Sequence, residues 1–225
     1  MGRPPITGLG DLIPRPFEPQ EARPLLRRGA LDAVQGVNAH LLDLLCDRAS
    51  VGGTSYPFAD PLRGRLSRLT TAQRQQVAQC GILLADPGFS YPQRWRSAPL
   101  GSDSDPVTAV PNAWLPLEAA ISLAHSTLLV AWYVLHSSRA VAGVLLGMPK
   151  ESVEAFVKLD VKELAYIAQR HPDWIRPRSQ SEPKFWANLI AAGETPSRSG
   201  FTTLRCLQLS GGQSKWLDPY ISARG

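Results

Sequence analysis

The feature that most constrains this chain is a run of about twenty residues, Ala119 to Ser138, without a formally charged side chain. That is about the length that a helix needs to cross a bilayer. The run also contains serine, threonine and histidine, and the flanking sequence resembles that of globular proteins. These features favour a buried helix and no membrane association. A protein that lies in the membrane interface through 119–138 is the minor alternative.

The pattern of apolar residues along the rest of the chain predicts an all-α fold. Apolar residues make up 44% of the 225 residues and charged residues 19%, which is enough to build a packed core. Apolar residues recur at three- and four-residue steps, whereas no long segment alternates with the period of a strand. We therefore predict a helical core with a helix-turn-helix-like pair, long proline-rich loops and an irregular C-terminal tail.

Prolines, glycines and capping signals divide the chain into five regions. These are a proline-rich arm at 1–20, an N-terminal helical region at 21–86, a linker rich in Pro, Ser and Gly at 87–116, a second helical domain at 117–190, and a basic tail at 191–225. A first helix is predicted from Glu21 to Arg48, and only Gly200 to Leu209 has the character of a strand.

The two helical regions show weak signs of an internal repeat of about ninety residues. Thr70 and Gln73 have the spacing of a helix-capping box, and so do Asp160 and Glu163. The residues around the two boxes match at a few apolar positions. A gene duplication explains the pattern about as well as the features that all helices share, so both explanations stay open.

Residues 138–158 have the spacing of a helix-turn-helix. Gly143 allows two helices to cross closely, Gly147 suits a left-handed turn, and Val153 packs the second helix on the first. The second helix carries Glu151 and Glu154, which would repel phosphates. The acidic residues therefore favour packing or protein contact over direct reading of bases.

The segment from about 120 to 186 resembles FlhD, a subunit of the bacterial flagellar transcriptional activator. The resemblance rests on three stretches in the same order: Leu128-Leu-Val-Ala131, Arg139-Ala-Val-Ala-Gly-Val-Leu-Leu-Gly147, and Lys158-Leu-Asp-Val-Lys-Glu-Leu-Ala-Tyr-Ile-Ala168. The first 115 residues and the tail beyond 190 have no counterpart in it. The cysteine that forms an interchain disulfide in that family has no match here, and Ile175 stands near its place.

The resemblance implies an all-helical protein that dimerises through its long helices. It also implies an FlhC-like partner that contains zinc and binds the DNA, and recruitment of RNA polymerase to promoters. From the apolar face of the long helix we predict an oligomer interface at Leu128, Trp132 and Leu135. An FlhD-like segment in a longer chain suggests, by analogy, a regulator of a mobile element or a secretion system.

Sequence patterns of catalysis and metal binding are not found. The chain has no glycine-rich phosphate loop, GxSxG or HExxH, and its four histidines are scattered. Cys46, Cys80 and Cys206 lie far apart, which favours free thiols in a reducing compartment. We therefore expect a cytoplasmic protein that is not an enzyme and has no cofactor and no metal.

The C-terminal part combines positive and aromatic side chains. Its candidate DNA-binding residues are Arg176, Arg178, Lys184, Arg198 and Arg205. The alternative is a solvated basic surface whose aromatic residues anchor the tail to the core. If these arginines contact DNA, the isolated chain is expected to bind it weakly, with specificity supplied by the partner.

Two hypotheses for the function follow. The first is a subunit of a cytoplasmic transcriptional regulator, FlhD-like, that acts as an oligomer with a DNA-binding FlhC-like partner. The second is a structural or adaptor protein of a secretion or conjugation system, with no catalytic activity and no contact with nucleic acid.

Overall fold

A computed structural model describes residues 19–51, 55–97 and 111–195, and for residues 19–28 it describes the helical backbone alone. The proline-rich arm before Pro19, the predicted strand Gly200 to Leu209, and Arg198, Arg205 and Cys206 lie outside the described residues.

The prediction of an all-α fold is confirmed, since the described residues form nine α-helices, one 3-10 turn and one very short sheet. The helices are α1 (Pro19–Val51), α2 (Asp60–Leu66), α3 (Thr71–Ala78), α4 (Pro92–Ser97), α5 (Leu117–Ser137), α6 (Arg139–Leu146), α7 (Lys150–Phe156), α8 (Val161–Arg170) and α9 (Pro183–Glu194). The 3-10 turn is Pro172–Trp174. The strands are β1 (Ala85–Asp86) and β2 (Arg176–Pro177), which pair antiparallel.

Local capping signals set the starts of three helices. The hydroxyl of Thr70 accepts the backbone N–H of Gln73, and the side chain of Gln73 accepts the N–H of Thr70. Asp160 and Glu163 form the same reciprocal pair at the start of α8. Ser138 caps α6 through the N–H of Val141. Each cap satisfies backbone donors that have no partner within the helix.

Three helices were not predicted, namely α2, α4 and α9. Helix α2 begins at Asp60, beyond Gly52 and Gly53, with a proline in its first turn. Helix α4 lies inside 87–116, so the prediction of a linker is wrong for 92–97. This helix turns Trp95 into the core, where the ring is 1% exposed, and six residues are too few to show a helical period.

The core is one continuous cluster that both helical regions share. The two longest helices, α1 and α5, pack against each other, α1 also packs on α3, and α5 on α8. In α5 the buried face includes Leu123, Leu128 and Leu135. Helix α5 is long and apolar enough to span a membrane. In this structure it packs as a core helix, which is the burial predicted for the uncharged run 119–138.

The described elements of residues 19–97, the first region, and of residues 117–194, the second region, follow a similar order. Helices α1, α2 and α3, strand β1 and helix α4 correspond to α5, α7, α8, β2 and α9, whereas α6 and the 3-10 turn occur in the second region alone. The capping residues Thr70 and Asp160 are about ninety positions apart, and so are Trp95 and Trp186. This spacing of about ninety residues is the same as that of the predicted repeat.

The last described helix of each region packs on the other region. Helix α9 contacts α2 and α3, and α4 contacts α7. Correspondingly, the ring of Trp186 lies 4.9 Å from that of Phe58, and the ring of Trp95 lies 5.0 Å from that of Phe156. Strands β1 and β2 pair where the two regions meet, with Ala85 opposite Pro177 and Asp86 opposite Arg176. Each region therefore needs a helix of the other region to complete its core.

Candidate functional site

The helix-turn-helix-like pair consists of α6 and α7. Gly147 follows α6 with φ of +61°, so the predicted left-handed turn is confirmed. Gly143 is buried within α6, and Val153 is buried in α7 at 4% exposure. Helix α7 has only seven residues, and its exposed face carries Lys150, Glu151 and Glu154. That face presents more negative than positive charge to a phosphate backbone.

Arg178, a predicted DNA-binding residue, is a structural residue instead. Its side chain is 7% exposed, and its guanidinium donates to the carbonyl of Leu146 at the C-terminal end of α6. Burial lowers the pKa of Arg178, and the nearby carboxylate of Asp86 opposes that shift. A positive charge at this end complements the helix dipole and the open carbonyls. Arg178 therefore cannot reach a phosphate in the folded chain.

The remaining described candidates for DNA binding lie on the surface but not together. Arg176 and Lys184 are both exposed. Arg176 follows the 3-10 turn in β2, whereas Lys184 is in the first turn of α9. Arg198 and Arg205 lie outside the described residues.

The predicted oligomer interface on α5 is largely buried inside this chain. Leu128 and Leu135 are 1% and 2% exposed, because α1 and α8 cover this face. Trp132 is partly buried, and its indole N–H donates to the carbonyl of Leu159. The prediction that Leu128 and Leu135 contact another subunit is wrong for the folded chain. Periodicity identified an apolar face correctly, but it cannot identify what covers that face.

A groove of about 440 Å³ opens beside the β1–β2 ladder, and we call it the arginine groove. Its lining comes from two stretches, from β1 to α4 and from the 3-10 turn to the loop after β2, and includes Asp86, Tyr91, Arg94, Trp174, Arg176 and Gln180. It therefore lies where the two corresponding regions meet. Of these residues, sequence reasoning had singled out Arg176 alone.

Arg94 is held in a fixed position in this groove. Its Cζ atom lies 4.9 Å from the ring centroid of Tyr91 and 4.9 Å from that of Trp174. One guanidinium nitrogen also donates to the carbonyl of Pro87 at 3.2 Å. Stacking on two rings together with a hydrogen bond restricts the side chain before any ligand arrives.

His171 extends this stack. Its ring lies parallel to that of Trp174, with 4.1 Å between centroids. Burial lowers the pKa of His171; the Asp173 carboxylate opposes the shift, and the positive charges of Arg170 and Arg94 add to it. The neutral ring is therefore favoured next to Arg94.

The described residues contain no group of three or more His, Cys, Asp or Glu side chains placed to hold a metal ion. Cys46 and Cys80 are buried thiols, and burial raises the pKa of Cys46. A raised pKa keeps the sulfur protonated, which is the state of an unreactive thiol.

Comparison with known protein families, with curated proteins and with solved structures finds no match.

Proposed function

We propose that this protein is a cytoplasmic subunit of a transcriptional regulator, similar to FlhD, that acts together with a DNA-binding FlhC-like protein. In this role it performs no catalysis. It reaches DNA mainly through its partner and assists the recruitment of RNA polymerase.

The pairing of α1 with α5 is the observation that carries this proposal. The resemblance to FlhD implies two subunits joined through their long helices. Here one chain contains two long helices in contact, each followed by short helices, a capping box and a strand in the same order. One chain would then take the place of two paired subunits, and any homo-oligomer would use surfaces other than Leu128 and Leu135.

The charge of α7 supports an auxiliary role rather than direct reading of DNA. Its buried face, which includes Val153 and Phe156, packs into the core, and Glu151 and Glu154 lie on the solvent side. A recognition helix places donor side chains toward base edges and avoids carboxylates near phosphates.

A second candidate is a non-catalytic adaptor of a secretion or conjugation system, and two observations favour it. The burial of Arg178 removes one of the positive charges expected to contact DNA. A surface with acidic residues on α7 and arginines in a groove also suits contact with proteins.

Purification of the tagged full-length chain from its native host distinguishes the two candidates. Bound proteins are identified by mass spectrometry, and bound DNA is sequenced after crosslinking. We expect a DNA-binding partner with a cysteine cluster, together with enriched promoter fragments. A matched purification of Arg176→Gln measures how much DNA recovery depends on this chain.

Recovery of secretion components without enriched DNA would refute the regulator proposal and support the adaptor. A sequence-specific footprint by the isolated chain would refute the auxiliary role, since DNA reading would then need no partner. If promoter recovery depends on the partner and not on Arg176, the partner supplies the main contact with DNA.

A further inference from the structure

The arginine groove combines two positive side chains with neutral hydrogen-bonding groups. Arg94 of α4 and Arg176 of β2 line it, together with the loop residues Ser90, Ser179, Gln180 and Ser181. Arginines surrounded by hydroxyl and amide groups form an environment that attracts an anion and also offers partners to a peptide backbone.

Arg94 keeps hydrogen-bonding capacity for a ligand. A guanidinium has five N–H donors, and Pro87 is the one described residue that accepts from it. Because Tyr91 and Trp174 already fix its plane, binding a carboxylate here costs little additional side-chain entropy.

The acidic residue of the groove is already engaged by the chain. Oδ1 of Asp86 accepts the backbone N–H groups of Gly88 at 2.8 Å and Phe89 at 2.9 Å. Its charge also faces the buried Arg178. Asp86 therefore compensates charge within the protein, and the side chains of Arg94 and Arg176 are left to face an incoming anion.

We propose that the arginine groove binds an acidic peptide segment of a protein partner, with carboxylate side chains on Arg94 and Arg176. This proposal names a surface for the partner of the proposed function, and it rests on that function only for the identity of the partner.

The shape of the groove favours a peptide over nucleic acid. A volume of about 440 Å³ accepts a few side chains, whereas the backbone of a duplex is convex and would contact only the rim. Trp174 is already stacked against His171 and Arg94, so its ring is not free to stack on a base. Tyr91 is 58% exposed and can pack on an apolar side chain of the peptide.

Titration calorimetry with the full chain tests this proposal. The probes are a blocked oligo-glutamate peptide, an oligo-glutamine peptide of the same length, and a short oligothymidine. The variants are Arg94→Gln, Arg176→Gln and the control Arg96→Gln. Arg96 is exposed on the same helix as Arg94 and does not line the groove. Each variant removes one positive charge, so general attraction between opposite charges falls equally in all three.

We expect the glutamate peptide to bind more tightly than the glutamine peptide. Its affinity should fall about tenfold in each groove variant, as for the loss of a charged hydrogen bond, and much less in Arg96→Gln, which loses only the general attraction. Arg176 is exposed and Arg176→Gln should fold normally, so the test stands even if Arg94→Gln destabilises the stack. Circular dichroism checks both variants.

Three results would overturn the proposal. The first is a loss of affinity in Arg96→Gln equal to that in the groove variants, and the second is no binding of the glutamate peptide. The third is displacement of that peptide by oligothymidine that depends on Arg94 and Arg176, which would indicate a nucleic-acid site. Because the titration uses the isolated chain and a synthetic peptide, its failure leaves the copurification test of the regulator intact.

Discussion

Gly147 and Arg178 meet at the C-terminal end of α6, where the backbone turns toward α7. Glycine permits the left-handed conformation with φ of +61°, and the absence of a side chain leaves room for the guanidinium. A Cβ atom at position 147 would lie 2.5 Å from Nη1 of Arg178. The turn and the buried charge therefore depend on the same residue.

Gly147→Val is expected to lower the free energy of unfolding by about 1–3 kcal/mol, because a β-branched residue is strained in this conformation. The additional contact with Arg178 acts in the same direction. Chemical denaturation with tryptophan fluorescence measures the change.

Gly36→Ala provides the matched control. Gly36 lies within α1, and a Cβ there meets nothing within 4 Å, so alanine should raise stability by up to about 1 kcal/mol. Equal stability of Gly147→Val and the wild type would show that position 147 does not need a left-handed turn.

His171 makes stability depend on pH near neutrality. Its pKa in the folded chain is lowered, mainly by burial, so the unfolded chain binds more protons between the two pKa values. Its contribution is complete above the unfolded value of about 6.5, and it is lost as the pH falls through that value toward the folded one.

His171→Phe keeps a ring against Trp174 but removes this titration. We expect the melting temperature to fall less between pH 7.5 and pH 5.5 in the variant than in the wild type, which scanning calorimetry at both pH values measures. An identical fall in the two proteins would mean that the other titrating groups carry the whole pH dependence.

At the scale of single elements, short helices in this protein depend on their caps. Helix α3 has only eight residues, too few to be stable by itself. Its capping box satisfies backbone donors at both Thr70 and Gln73. Helix α8 begins with the corresponding box at Asp160 and Glu163.

Thr70→Ala should lower the free energy of unfolding by about 1 kcal/mol, since alanine cannot accept the backbone N–H of Gln73. Thr71→Ala is the control, because Thr71 is also exposed and its hydroxyl accepts from the Arg74 side chain and not from a backbone N–H. Urea denaturation of both variants measures the difference. Similar losses in the two would show that the hydroxyl of Thr70 is not the source of the stability.

At the scale of the whole molecule, helices α4 and α9 join the two regions into one folding unit, because each packs on the other region. Removing α9 would uncover its partners in α2 and α3, and removing α4 would uncover the ring of Phe156 in α7. Ion pairing adds to this contact, since Arg65 of α2 lies 2.7 Å from Glu194 of α9. Neither region has a complete core of its own.

We therefore expect a single cooperative unfolding transition for the full chain. Far-ultraviolet circular dichroism and tryptophan fluorescence should give the same midpoint in urea, because helices and buried rings are lost together. A chain that ends before Pro183 should not reach the folded state. Two separated transitions, or a stable truncated chain, would show that the regions fold independently.

The sequence by itself determined the features that depend on neighbouring residues. The caps at Thr70, Ser138 and Asp160, the left-handed turn at Gly147 and the burial of α5 follow from side-chain chemistry within a few positions or from helical periodicity. These signals are local because a cap or a turn is completed by residues within one helical turn.

Only the tertiary structure decided where the positive charges act. Arg176 and Arg178 are two positions apart, yet one is exposed and the other lies buried against Leu146. Arg94 gains its place in the groove from Trp174, which is far away in the chain. Periodicity identifies an apolar face but not the element that packs on it. The packing of α1 and α8 on α5, and of α4 and α9 on the other region, depends on contacts between distant residues. Such contacts have no local pattern, because they exist only when the two regions pack together.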